Sequence, residues 1–146
     1  MISGWRLVNG GKQMKRKQAR ELLMQLLFQM NINNDYGSEI IERFKNNYQL
    51  EEQNEYFDST LKAVLQHMQE INSLIEKSTE NWKIERISKV ELAVIRLSVA
   101  EILFISEIPQ SVSINEAVEL SKKFSGEESG KFVNGILGSI VRKIDG

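Results

Sequence analysis

The stretch MKRKQARELLMQLLFQMNIN, residues 14–33, combines a basic start with a regular apolar pattern. Its apolar residues recur with the period of a helix, and they are Ala19, Leu22, Leu23, Leu26, Leu27 and Met30. This spacing places them along one side of an α-helix that packs against a core. We therefore predict a first helix that ends near residues 33–37, and an all-α fold built around it.

Helical periodicity continues through the rest of the chain, and the period-two alternation of strands is nearly absent. It predicts a short second helix at residues 38–47, a long third helix at 57–75 and a short fourth element around Trp82 and Ile84. A fifth helix is predicted from the apolar residues Val90, Ala93, Val94, Leu97, Ala100 and Phe104.

Boundary signals are clearest near the C-terminus. Pro109 predicts the end of a helix, and the pattern Ser113-x-x-Glu116 is typical of a capping box that begins the next one. We predict that this sixth helix stops at Gly126. The last helix is predicted from the apolar residues Phe132, Val133, Ile136, Leu137, Ile140, Val141 and Ile144. The fold class is therefore all-α, with about seven helices.

The length and composition indicate a single domain without disulfide bonds. A chain of this length can bury roughly two-thirds of the surface that its unfolded form exposes. Zero cysteines exclude a disulfide framework, a thiolate metal site and a cysteine nucleophile, and they suit a reducing compartment such as the cytoplasm. Because no apolar run reaches about 18 residues, we predict no membrane span.

The sequence offers no catalytic constellation. His67 is the only histidine, and no acidic residue lies four positions away to orient it. The stretch around Gly10, Gly11 and Lys12 lacks the spacing of a phosphate-binding loop. We therefore predict a non-enzymatic protein without a cofactor or a bound metal.

Charge is divided unevenly between a basic start and an acidic body. The first 20 residues contain no acidic residue but six basic ones, Arg6, Lys12, Lys15, Arg16, Lys17 and Arg20. All 20 acidic residues follow, so the start of the chain is expected to attract polyanions locally. Glu21 and Gln25 interrupt the apolar run that follows the basic residues, which argues against a secretory signal peptide.

Residues 1–13 show no helical period, and we predict a flexible extension there. The codons for Gly10, Gly11 and Lys12 must read GGN-GGN-AAR, a run that resembles a ribosome-binding site shortly before Met14. We therefore expect the natural start at Met14 and the helical domain at residues 14–146. The intact mass of the protein from its native host tests this expectation.

The basic flank of the first helix is the main candidate for a binding site. Arg16 and Arg20 lie one turn apart, and Lys17 lies further around the same flank. A row of cations suits phosphates, because each contact releases counterions. The alternative is a solvated helix start, although the helix dipole disfavours cations at that position.

The same helix also has a second apolar line, nearly opposite the core face, formed by Met24, Phe28 and Ile32. A helix that is apolar on two sides is either covered on both sides or presents one of them to a partner. The spacing alone leaves both interpretations open.

Three segments together carry a resemblance to a known family. They read RKQARE at residues 16–21, KVELAVIRL at 89–97 followed by Glu101, and IPQSVSINEAVELSKKF at 108–124 with KFVNGIL at 131–137. Together they resemble the NusB family of bacterial transcription antitermination factors, over the range from Met14 to the end of the chain. The resemblance implies an all-helical fold of two small bundles packed across each other.

The resemblance also implies partners. In the family, the protein pairs with NusE, a small-subunit ribosomal protein, and the pair binds the single-stranded boxA element of nascent RNA. The complex joins other Nus factors on RNA polymerase and suppresses premature termination, notably on ribosomal RNA operons.

Binding residues follow from the resemblance position by position. The family's arginine-rich RNA-binding motif falls on Arg16, Lys17 and Arg20, next to Lys15, although Lys17 replaces a usual arginine. A second RNA-contact region matches a loop predicted at residues 127–132, in which Lys131 meets phosphate and Phe132 stacks on a base. The positions that contact NusE fall on Phe28, Ile32 and Glu91.

Two alternatives remain beside this interpretation. The same fold occurs as an RNA-binding domain of RNA cytosine methyltransferases, but these 146 residues leave no room for a cofactor-binding domain. Some family members self-associate, so a homodimer that hides the RNA-binding flank is the second alternative.

Overall fold

A computed structural model of the chain describes residues 13–80 and 82–146. Within these ranges the protein folds into seven α-helices, which confirms the all-α prediction. They are α1 (Arg16–Asn33), α2 (Ser38–Lys45), α3 (Asn54–Gln66), α4 (Met68–Ser78), α5 (Lys89–Phe104), α6 (Gln110–Ser125) and α7 (Glu127–Asp145). Short 3-10 helices at Glu51–Gln53 and Ile84–Arg86 precede α3 and α5.

Helix α5 lies at the centre of the fold. Its residues from Leu92 to Glu101 are all buried, as expected for a helix that is apolar around most of its circumference. It packs against α1, α3 and α4, which precede it in the chain, and against α6 and α7, which follow it. The two groups of helices therefore share one core along α5.

Helices α1 and α5 run in opposite directions. Arg20, near the start of α1, pairs with Glu101, near the end of α5. Asn31, near the end of α1, lines the same cleft as Lys89 and Leu92, near the start of α5. The helix pair thus has two ends, one at the start of α1 and one at the start of α5.

The prediction of one long helix at residues 57–75 is wrong, because the chain breaks at His67. Its backbone angles, φ −121° and ψ 26°, are not helical, and they separate α3 from α4. The imidazole stacks on Phe104 with the ring centroids 4.0 Å apart. Val64 and Ile71, on either side of the break, are both fully buried, so the apolar face continues across it. The break therefore could not be predicted from the hydrophobic periodicity.

The predicted capping box at Ser113 and Glu116 is also wrong, because α6 begins one turn earlier at Gln110. Pro109 precedes the helix with φ −61°, an angle that its ring fixes in advance. Ser113 instead donates its hydroxyl to Glu101 Oε1 at 2.8 Å, and the pattern therefore marks a buried contact rather than a helix start.

The loop predicted at residues 127–132 is helical. Helix α7 begins at Glu127, directly after Gly126, and a single residue makes the connection to α6. Gly126 has φ 96° and ψ 175°, a conformation that is essentially restricted to glycine. The stop predicted at this glycine is confirmed, but the turn is shorter than expected.

The extension predicted at residues 1–13 lies outside the described residues apart from Gln13, which is exposed and not helical. Met14 is buried in the core, so the packed domain includes it. In the described ranges, none of the helices has the length and apolar character needed to cross a membrane.

Candidate nucleic-acid and partner interface

Exposed cations surround the start of α1. Lys15 caps the helix, and its backbone N–H donates to the Gln18 side chain at 2.9 Å. Lys15, Arg16 and Lys17 are all exposed, and 71% of the Lys17 side chain is accessible. Their placement in the first turn gives a positive surface at this end of the helix pair.

Arg16 is exposed but held in place by α3 and the turn before it. Its Nε donates to Gln53 Oε1 at 2.7 Å, and its guanidinium carbon lies 4.3 Å from the centre of the Tyr56 ring. A guanidinium above an aromatic face at this distance makes a favourable cation–π contact. These two contacts fix one N–H and leave the outer part of the fork towards solvent.

Arg20 does not share this exposure, since only 4% of the residue is accessible. Its Nε donates to Glu101 Oε2 at 2.7 Å, and its Nη2 donates to Glu101 Oε1 at 3.2 Å. Burial alone would lower the pKa of Arg20, but the hydrogen bonds that Arg20 donates to Glu101, together with the negative charges of Glu101 and Glu116, outweigh burial and raise the pKa. The expectation that Arg20 contacts RNA directly does not fit this geometry, which instead joins α1 to α5.

Glu101 is the centre of the buried polar network. It accepts hydrogen bonds from Arg20 of α1, from the Tyr56 hydroxyl of α3 and from Ser113 of α6. Burial and the carboxylate of Glu101 raise the pKa of Tyr56 well above its usual value, which keeps the phenol protonated. The network ties three helices to α5 directly beneath the exposed cations, and sequence reasoning did not find it.

Ion pairs also join α1 to α6 along the flank of the first helix. Lys123 Nζ lies 2.8 Å from Glu21 Oε1, and Lys17 Nζ lies 3.8 Å from Glu116 Oε1. The negative charges of Glu21 and Glu116 are therefore each paired with a lysine.

The second apolar line of α1 changes its environment along the helix. Met24 is fully buried, Phe28 is half-buried and packs against the core, and Ile32 is 50% exposed. At Met24 the helix is covered on both sides, as one of the two interpretations required. At Ile32 the line reaches the surface, which leaves an apolar side chain available to a partner.

Glu91 lies at the same end of the helix pair as Ile32, in the first turn of α5. Its Oε1 accepts from the Ser88 hydroxyl at 2.9 Å, and its Oε2 accepts from the Ser129 hydroxyl at 2.7 Å. The Ser88 side chain also caps α5 by accepting from the Glu91 N–H at 3.1 Å. Two serines therefore hold this half-buried carboxylate in one orientation.

Lys131 and Phe132 also lie at this end, in the first turns of α7. The Lys131 side chain is 74% exposed and its Nζ lies 3.4 Å from Glu128 Oε1. Phe132 is half-buried, and its ring centroid lies 6.2 Å from that of Trp82. Glu91 and Glu101 are ten positions apart in α5, so this group lies roughly 15 Å along the helix axis from the Arg20–Glu101 pair, and the cations at the start of α1 lie about one turn further away.

Comparison with known proteins gives a consistent result. A model of the NusB family matches residues 17–142. A transcription antitermination protein NusB of Acetivibrio thermocellus is 45% identical over 130 residues, covering 88% of this chain and 90% of the relative. Its counterpart in Clostridium acetobutylicum is 43% identical over 129 residues, covering 88% of this chain and 96% of the relative.

Solved structures agree with these relatives. T. maritima NusB superposes with a TM-score of 0.81 at 32% identity, covering 90% of this chain and 94% of that protein. A crystal structure of antitermination factors NusB and NusE in complex with dsRNA matches with a TM-score of 0.79 at 30% identity, covering 88% of this chain and 96% of the matched chain.

Proposed function

The chain belongs to the NusB family, and from that membership we propose that it is a transcription antitermination factor that binds RNA together with NusE. The relatives are named for transcription antitermination and not for a reaction. One structural relative was crystallised with both NusE and RNA. The function is therefore binding, carried out in the cytoplasm within a larger complex on RNA polymerase that includes other Nus factors.

The RNA that we propose is the single-stranded boxA element of nascent transcripts, especially those of ribosomal RNA operons. The observation that carries this proposal is the row of exposed cations, Lys15, Arg16 and Lys17, at the start of α1. Phosphates bind such a row because counterion release adds with each contact. Arg16 supplies a planar fork already oriented by Tyr56, whereas Lys17 supplies a point charge.

Arg20 has a positioning role in this proposal. Its buried guanidinium fixes the first turns of α1 against α5, so the neighbouring cations are held at a defined place on the surface. Lys131 and Phe132 form a second contact at the other end of the helix pair. An RNA strand that reaches both contacts must run along the side of the domain.

The partner surface that we propose consists of Phe28, Ile32 and Glu91. Ile32 offers an exposed apolar side chain, and Phe28 continues the same line into the core. Glu91 is oriented by Ser88 and Ser129, but a carboxylate oxygen has two lone pairs and retains capacity for one more donor. A basic side chain of NusE fits that requirement.

The first experiment is a titration of labelled boxA-type RNA, read by fluorescence anisotropy, with and without NusE over a series of salt concentrations. Salt-weakened binding that prefers boxA to a scrambled strand and is tighter with NusE supports the proposal. Equal and weak binding to both strands, with or without NusE, contradicts it. Sedimentation at several concentrations then tests the homodimer instead.

A charge-matched pair of variants locates the contact. Arg16→Ala with Lys17→Ala removes two exposed cations, and Lys62→Ala with Lys77→Ala removes two from α3 and α4. Each phosphate contact contributes about 0.7 to the salt slope for a single strand, so the first pair is expected to reduce the slope by about 1.4. An equal reduction in the second pair would show that only overall charge matters.

A further inference from the structure

Trp82 is an exposed indole on a fixed backbone. Half of the residue is accessible, an unusual exposure for so large an apolar side chain. The backbone N–H of Trp82 donates to the Thr79 carbonyl at 3.2 Å, and the Thr79 hydroxyl donates to the Trp82 backbone carbonyl at 3.3 Å. These two bonds fix the backbone that carries the exposed ring, just before the 3-10 helix Ile84–Arg86.

Trp82 and Phe132 form one aromatic surface. Their ring centroids are 6.2 Å apart with the planes inclined by 33°, which is within the range of direct aromatic contact. The two rings line an open cleft of about 470 Å³ together with Arg86, Glu91 and Glu128. Because the rings touch each other, a flat ligand stacks on the exposed face of the indole rather than between them.

The charges around the cleft divide into two groups. Arg86 lines the cleft and makes no ion pair within the described ranges. The exposed Lys83 and Lys131 are the chain neighbours of Trp82 and Phe132, and Lys131 lies 3.4 Å from Glu128. Glu91 and Glu128 also line it and would repel a phosphate from its interior. The cleft therefore suits a neutral aromatic ring inside and an anion at the Arg86 side.

We propose that Trp82 stacks on one unpaired base of the bound RNA and that Arg86 contacts the adjacent phosphate. This inference rests on the proposed RNA binding and adds a site to it. A base joined to a phosphate has the required combination of a neutral ring and an anionic neighbour. The surface is continuous with Phe132 and Lys131, and aromatic platforms beside cations are the usual way to bind single strands without base pairing.

The test uses the fluorescence of Trp82 itself. The chain has two tryptophans, so Trp5→Phe leaves Trp82 as the only indole. BoxA-type RNA is titrated into this protein while a second titration follows the anisotropy of labelled RNA. Stacking predicts quenching of the indole with the same midpoint as the anisotropy change.

Variants then separate stacking from a general effect on structure. Trp82→Leu removes the platform and is expected to weaken RNA binding about 5- to 100-fold, whereas Trp82→Phe keeps an aromatic face and is expected to retain most of the affinity. Phe104→Leu changes another exposed aromatic residue, outside the cleft, and leaves the affinity unchanged. Arg86→Gln is expected to reduce the salt slope by about 0.7.

The outcomes distinguish this inference from the function on which it rests. RNA binding by anisotropy with unchanged indole fluorescence and full affinity in Trp82→Leu would overturn the inference and leave RNA binding intact. Quenching by NusE alone, with none by RNA, would assign the cleft to the protein partner and also overturn it. Absence of any RNA binding would overturn both.

Discussion

Replacing Glu101 by glutamine tests how the buried network holds the domain together. Glu101→Gln keeps the size of the side chain but removes its charge and turns one acceptor oxygen into a donor. In the structure both carboxylate oxygens accept hydrogen bonds, from Arg20, Tyr56 and Ser113. The new amide N–H₂ must therefore face a donor, and the buried guanidinium of Arg20 loses its counter-charge.

The expected cost follows from burial. Only 5% of the Arg20 side chain and 1% of the Glu101 side chain are accessible, so water cannot replace the lost partner. Breaking a buried ion pair by removing one partner costs about 3–5 kcal/mol. A domain of this size is stable by roughly 5–15 kcal/mol, so the variant loses a large share of its free energy of unfolding. The midpoint of thermal unfolding is expected to fall by roughly 10–15 °C.

The assay is urea unfolding followed by circular dichroism, with a second ion pair as the control. Lys45 Nζ and Asp58 Oδ1 are also 2.7 Å apart, but 26% and 47% of these side chains are accessible. Asp58→Asn is therefore expected to cost about 0–1 kcal/mol. If Glu101→Gln costs no more than this control, the argument that burial decides the energy of the pair is refuted.

Four further outcomes are expected. Tyr56 has a pKa raised by burial and by Glu101, so the wild type loses stability as pH rises above about 10, where only the unfolded phenol ionises, and Tyr56→Phe lacks this loss; urea unfolding at several pH values checks it. Gly126→Ala is expected to destabilise by about 1–3 kcal/mol because φ is 96°, measured by urea unfolding. Gly135→Ala, with open space at its Cβ inside α7, is expected to stabilise by about 0.5–1 kcal/mol in the same assay, and a loss would contradict the expectation. Ile32→Asp is expected to abolish NusE binding in a pull-down with little change in stability, whereas Phe28→Asp reduces both; normal NusE binding by Ile32→Asp would remove α1 from the partner surface.

The apolar faces were predictable because burial follows periodicity over many residues. The six residues predicted for the core face of α1 are all buried. On α7 the prediction is confirmed for Val133, Ile136, Leu137 and Ile140, whereas Phe132 and Val141 are half-buried and Ile144 is exposed near the chain end. Local interruptions were not predictable in this way. His67 separates two helices although the apolar face continues on both sides of it. Ser113 matches the sequence pattern of a capping box, but it lies inside α6 and its hydroxyl donates a hydrogen bond to Glu101.

The local sequence pattern could not predict which cations of α1 are exposed and which are buried. Arg16 and Arg20 occupy equivalent positions one turn apart, yet one is exposed and the other buried. The difference is made by Glu101, which is 81 positions away from Arg20 in the chain. The available signal was Glu101 itself, because a carboxylate inside the most apolar helix must find a buried partner.

The pairing of carboxylates explains how a chain with a net charge of −1 presents a positive surface at one end. Near the start of α1, Glu101 is neutralised by Arg20, and Glu21 is neutralised by Lys123. The charges of these two carboxylates are thereby offset within the protein, and in residues 13–80 and 82–146 neither Lys15 nor Arg16 forms an ion pair. Within a Debye length of about 10 Å, an RNA phosphate responds to this local charge and not to the acidic total. If this end of the helix pair binds RNA as proposed, the residues that make the pair stable are also the ones that leave its exposed cations available to RNA.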